Sequence, residues 1–311
     1  MHATFAFWFG WDDPTARTVA IGLAALGAVA GALGTFAVVR RQSLMGDAIS
    51  HAAFPGIALA YLLGGRSPAV LVIGAIAGGW LAMSLVAGVV RRSRIPFDTA
   101  LAGALAVFFG LGLLLMTYMQ DFAARRPANA LERALPPMPT PPDLGSYLFG
   151  QAAFLRPDQL NAIFILGGGA VLLTILFWKE FKLLSFDPDF AASLGFPVRM
   201  LDLMLTTLIV AAVVIGLQAV GVVLMSALLV APPVAARLWS DRLSRVAGLA
   251  AVFGAMAGVV GEWLSRELSQ PRRAVPTGPT VVIAATALVV LSLLVAPWVR
   301  RWVNRLAPES A

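Results

Sequence analysis

Two histidines occur in the 311-residue chain, and one of them, His51, stands four residues after Asp47 in the run Arg41-Gln42-Ser43-Leu44-Met45-Gly46-Asp47-Ala48-Ile49-Ser50-His51-Ala52-Ala53-Phe54-Pro55-Gly56. On a helix, residues four apart share a face, with Cβ atoms about 5–6 Å from each other. A carboxylate oxygen and an imidazole nitrogen at that separation can grip one divalent ion. Pro55 adds to the case: it has no amide hydrogen, so the His51 carbonyl loses its helical donor and is left as a free acceptor. Two side chains are too few to close a site, but two copies of the chain meeting at a symmetry axis would supply two carboxylates and two imidazoles. The spacing fits a plainer role equally well. Asp47, helped by Ser43, would then cap the helix N-terminus, and His51 would donate to a neighbouring carbonyl.

A second informative stretch is Phe186-Asp187-Pro188-Asp189-Phe190-Ala191-Ala192-Ser193-Leu194-Gly195-Phe196-Pro197. Asp187 reads as an N-cap, Pro188 as the first helical residue, Gly195 as the C-terminal stop and Pro197 as the block to continuation. The result is a two-turn helix, too short to persist alone. Phe190 and Leu194 form an i, i+4 apolar pair on it. Either they are a knob for a partner's groove, or the helix packs on its own loops.

Other polar residues carry less. Asp98 follows Pro96 and reads as a cap, and Asp202 stands at the start of an apolar run. Glu262 either pairs locally or lines a pathway; Gln218 either lines a gap between two apolar segments or makes a helix–helix hydrogen bond. The methionines are scattered through apolar runs and read as packing, as does Gly167-Gly168-Gly169. No Walker A loop, HExxH or GxSxG motif occurs, so the chain has no means of hydrolysing ATP and no nucleophile–base set to accompany His51.

The elements that must hold these residues are membrane helices. The chain is 59% hydrophobic and only 13% charged, with mean hydropathy +0.84, which excludes a soluble globule and disorder alike. It has no cysteine, hence no disulfide, thiolate metal site or cysteine nucleophile. Runs such as Leu208–Gly216 are apolar on every side and do not alternate, which excludes an outer-membrane barrel. At about 20 residues per crossing, an all-α polytopic fold of about nine spans is expected, with eight as the alternative. The spans fall at 17–39, 48–64, 68–90, 99–119, 160–179, 200–217, 220–238, 244–264 and 279–299, with a weak break near Gln218 between the sixth and seventh.

Together these form one transmembrane domain over 1–311. Residues 1–16 are expected at the outer interface, and 120–158 as an extracytoplasmic loop carrying five prolines between Pro136 and Pro142. Arg40, Arg41, Arg91, Arg92, Arg94, Lys179, Lys182, Arg199 and Arg237 fall on one side, which makes that side cytoplasmic, the N-terminus external and the C-terminus cytoplasmic. Span-flanking arginines account for the net charge of +7 without nucleic acid as a partner. Trp178, Trp239, Trp263, Trp298 and Trp302 lie near span ends, as an interfacial belt requires.

The segment from Arg41 to Gly56 resembles the signature of the manganese/zinc/iron family of ABC-transporter permeases. Tyr147–Ala153, the Phe186–Gly195 helix and the run Gly216–Pro232 match the family in the same order, and the resemblance extends over roughly 17–299. It implies a type II ABC importer permease architecture, similar in fold to the vitamin B12 and siderophore importers. The implied partners are a second permease subunit (a copy or a paralogue), two cytoplasmic ABC ATPases and an extracytoplasmic metal-binding lipoprotein or periplasmic protein. By the same resemblance, Asp47 and His51 coordinate the metal within the membrane. Asp187, Pro188, Phe190, Ala191, Leu194 and Gly195 form the cytoplasmic coupling helix, 186–196, that enters the ATPase.

The expected function is therefore the permease subunit of an ATP-driven importer of Mn(II), Zn(II) or Fe(II) in the bacterial cytoplasmic membrane. It would bind no permanent cofactor, and ATP would be used by its partner. A siderophore or cobalamin permease shares the architecture but handles a large ligand. A proton-coupled secondary carrier would need more intramembrane carboxylates than Asp47, Asp202 and Glu262.

Overall fold

The computed structural model describes residues 14–63, 67–124, 155, 157–270 and 275–306. The outer N-terminal segment, most of the 120–158 loop and the Tyr147–Ala153 motif lie outside them. The described chain is helical throughout: α1 (Pro14–Val39), α2 (Met45–Leu62), α3 (Pro68–Arg92), α4 (Phe97–Ala124), α5 (Pro157–Ala162), a π-helical turn (Ile163–Gly167), α6 (Gly168–Leu176), α7 (Trp178–Phe186), α8 (Pro188–Ser193), α9 (Val198–Val220), α10 (Val222–Arg237), α11 (Leu243–Leu268) and α12 (Thr277–Leu306).

Seven helices in the described residues are long and apolar enough to cross a membrane. The expected spans at 48–64 and 220–238 are not among them, α2 because Asp47, Ser50 and His51 interrupt its apolar run and α10 because it is short, so nine full crossings are not established. α2 has 18 residues and α10 has 16, about 27 and 24 Å long at 1.5 Å per residue, against about 30 Å of hydrocarbon.

Lipid provides no hydrophobic force between helices, so association depends on close packing. α1 is mostly enclosed and shows how. Gly27 lies against the backbone of Gly254, Gly31 against Ala250 and Gly34 against Leu229, so α1 beds into α11 and α10 with no side chain between. Gly56, Gly74 and Gly78 make a second seam between α2 and α3, and Gly112 of α4 packs over Phe54 and Pro55. α2 is thereby held on two sides. In the triple glycine, Gly167 packs on Val29, whereas Gly168 and Gly169 meet nothing; only the first serves packing.

The weak break expected near Gln218 between the sixth and seventh apolar runs falls three residues on, at Gly221. Gly221 has φ 85° and ψ 170°, a conformation open to glycine and strained for other residues. Gly216 lies against Met225, contact that nine residues of continuous helix would prevent, so the chain bends sharply at this point. The turn is buried, with Leu217, Ala219, Val220 and Val222 almost wholly enclosed.

The C-terminal end of α1 is an anchor point. Phe36 is fully buried and meets Trp178 and Phe181 of α7 edge-on, at ring-centroid distances of 5.4 and 6.1 Å. One turn later Arg40 forms an ion pair with Asp202 of α9. Asp202, which the sequence marked only by position, thus ties α9 to α1.

Candidate functional site

α2 begins after a tight turn in which Arg41 takes φ 58° and Gln42 donates to the Ala37 carbonyl at 2.8 Å. Its N-cap residue is Leu44, with no side-chain capping bond. The capping role open to Asp47 and Ser43 is therefore not the one adopted. Asp47 instead faces along the helix, its Oδ1 3.5 Å from His51 Nε2. Ser226 of α10 donates to the same Oδ1 at 3.3 Å and lies 3.1 Å from the Val222 carbonyl. A hydroxyl has one hydrogen, so Ser226 divides it between these two acceptors.

His51 is the more enclosed partner, 15% exposed against 39% for Asp47. Its ring stands edge-on to Phe109 of α4 at 4.7 Å and tilted to Phe54 at 5.9 Å. Its Nδ1 is buried with no hydrogen-bond partner among the described residues, so the alternative in which His51 donates to a carbonyl is not realised in them. A buried imidazole nitrogen left open is costly in a stable fold and useful in a ligand. Among the described residues no third His, Cys, Asp or Glu joins the pair. One chain thus brings together one carboxylate, one imidazole and a serine hydroxyl that donates to the carboxylate.

The predicted short helix forms as α8. Asp187 caps it, its Oδ1 accepting from the Phe190 amide at 2.8 Å, and Pro188 opens it. Gly195 at φ 81° ends it, and the Phe196 amide donates to the Ala191 carbonyl at 3.1 Å. This closes the carbonyls that a helix C-terminus otherwise leaves open. Ala191 is fully buried toward α7 and α9, while Phe190 is 52% and Leu194 56% exposed. The apolar pair thus faces away from the described chain, with Phe186 and Met200 also exposed beside it.

The remaining candidates separate from this group. Glu262 is buried in α11, where Arg266 Nε lies 2.8 Å from its carboxylate; local pairing is the role it adopts. Gln218 lies within α9, and its side chain is outside the described residues. Asp98 sits in the first turn of α4 rather than at its cap, placed to favour the helix dipole.

Sequence reasoning missed Ser226. It stands in the Gly216–Pro232 run, but only the bend at Gly221 brings it to Asp47. Missed too was the Arg40–Asp202 pair, whose members are far apart in sequence.

The sequence model of the ABC 3 transport family matches residues 12–296. The zinc transport system membrane protein TroC of Treponema pallidum is 40% identical over 318 residues, spanning 99% of this chain and 100% of that one. The manganese transport system membrane protein MntC of Bacillus subtilis is 39% identical over 293 residues, covering 94% of this chain and 63% of its own length. Among solved structures, PsaBC from Streptococcus pneumoniae in complex with Fab matches with a TM-score of 0.74 and 29% identity, over 94% of this chain and 95% of that one.

Proposed function

Because the chain belongs to the ABC 3 transport family, we propose that it is the membrane permease subunit of an ATP-driven importer for a divalent transition metal ion. The named roles of its relatives favour Zn(II) or Mn(II). The observation that carries the reading is the Asp47–His51 pair on one face of an enclosed helix, with Asp47 Oδ1 3.5 Å from His51 Nε2. Oxygen and nitrogen donors without thiolate suit Mn(II), Zn(II) or Fe(II) over Cu(I).

In this reading an extracytoplasmic binding protein delivers the ion between this chain and a second permease. Asp47 and His51 replace part of its hydration shell, so that a bare ion never meets hydrocarbon. Ser226 holds the carboxylate toward the imidazole. One of the two ATPase subunits grips α8 through Phe190 and Leu194, and ATP binding supplies the differential affinity that moves the spans between outward- and inward-facing states. A physical route runs from α8 through α9 and the Asp202–Arg40 pair to the end of α1, seven residues before Asp47. The chain lies in the bacterial cytoplasmic membrane with its N-terminus outside and its C-terminus inside.

The test is uptake of Mn(II), Zn(II) and Fe(II) by cells expressing the whole transporter, wild type against His51→Ala. Loss of one ion's uptake at unchanged membrane expression supports the reading. Unchanged accumulation of every ion overturns it.

A further inference from the structure

Asp202 and Arg40 are two sides of an open cleft of about 430 Å³ whose other charged walls are Arg91 and Arg199. Arg40 pairs with Asp202. Among the described residues, neither Arg91 nor Arg199 has a carboxylate partner, and both are exposed. Three guanidiniums against one carboxylate leave a strongly cationic cleft.

Its position is specific. Arg40 follows the end of α1, Arg91 lies in the last turn of α3 and Arg199 in the first turn of α9. All three helices cross the membrane by length and composition. The cleft therefore lies where spanning segments emerge, at the depth of lipid headgroups.

It does not end at the arginines. Arg91, Arg199 and Asp202 also line a second cavity that runs between α3 and α9. There the walls become Met83 and Trp80 on α3 and Leu203 on α9. Trp80 and Leu203 are 39% and 47% exposed. Trp80, Ser84, Ala87 and Arg91 follow helical spacing on one face of α3, so the groove passes from guanidinium to apolar surface along one helix side.

We propose that this groove binds an anionic phospholipid, its phosphate held by Arg91 and Arg199 and an acyl chain lying against Trp80 and Leu203. Guanidinium forks match phosphate oxygens in pairs, and basic pockets between spans are a recurring headgroup site. A free phosphate or an acidic side chain would use the arginines but has no need of the apolar continuation. The lipid would bridge α3 and α9, and so bear on the helix that follows α8. This does not rest on the metal reading, because lipid retention is read without transport.

The experiment is native mass spectrometry of the transporter complex purified in detergent. It is supplied with phosphatidylglycerol or phosphatidylcholine of identical acyl chains, with and without inorganic phosphate. Wild type is expected to retain phosphatidylglycerol preferentially. At roughly fivefold per guanidinium, Arg199→Gln should lower retention about fivefold, and Arg91→Gln/Arg199→Gln about 25-fold. If the double variant fails to assemble, the single variant, at an exposed helix start, carries the test. Equal retention of the two lipids overturns the proposal, as does undiminished phosphatidylglycerol on the variants. Displacement of the lipid by inorganic phosphate at equal concentration overturns it too, since the cleft would then be a plain anion site.

Discussion

α2 and α8 both carry the side chains proposed to act, and they are finished in opposite ways. α8 is closed at both ends, by Asp187 at its start and Gly195 at its stop, and what it leaves open is an outward apolar pair. α2 has no side-chain cap and is held by neighbours instead, through the glycine seam with α3 and the α4 contact at Gly112. What it leaves open is a polar atom, the buried Nδ1 of His51. A helix that must dock on a separate partner needs its own shape fixed beforehand. A helix that is to hold an ion, as proposed for α2, needs its surroundings fixed instead.

The contrast predicts different failures. Asp47→Ala or His51→Ala should leave complex assembly intact and cut uptake by more than about 100-fold, beyond the range seen for outer-shell partners of a metal; radiometal uptake at matched membrane expression checks it. Phe190→Asp with Leu194→Asp should do the reverse, leaving the permease folded while ATPase co-purification falls about 30-fold, as when interface anchors are lost. A pull-down from membranes measures this. Ser226→Ala leaves both ligands in place and frees Asp47, so apparent metal affinity should fall about tenfold, seen as a rise in half-saturating concentration at unchanged maximal rate. Asp187→Ala should have the smallest effect, about 1 kcal/mol of helix stability, appearing as a few-fold weaker ATPase association and no change in metal affinity. Equal loss of metal affinity from Asp187→Ala would erase the distinction between the two helices.

The same contrast governs what was legible in the sequence. Capping, proline entry and a left-handed glycine stop are local, so the bounds and outward face of α8 follow from Asp187, Pro188, Phe190, Leu194 and Gly195 alone. The i, i+4 geometry of Asp47 and His51 is local too, and it holds. Which of two roles that geometry serves is not local. It depends on neighbours such as Ser226, which reaches Asp47 from 179 residues away, and Phe109 of α4, whose ring stands against His51. Hydropathy located the apolar runs and a weak break near Gln218, but the sharp bend three residues on, at Gly221, is set by a backbone conformation that apolar composition does not mark. Glu262 looked like a pathway candidate because a buried carboxylate in a span is costly; its partner was four residues away, in Arg266.

The central claim, that His51 is a metal ligand, is tested most directly by pulsed electron paramagnetic resonance on the detergent-solubilised transporter loaded with Mn(II), without its binding protein. If the imidazole coordinates the ion, wild type shows modulation from a directly bound ¹⁴N nucleus and His51→Ala loses it. Nitrogen modulation that persists unchanged in His51→Ala, or none in wild type with Mn(II) bound, would contradict the account.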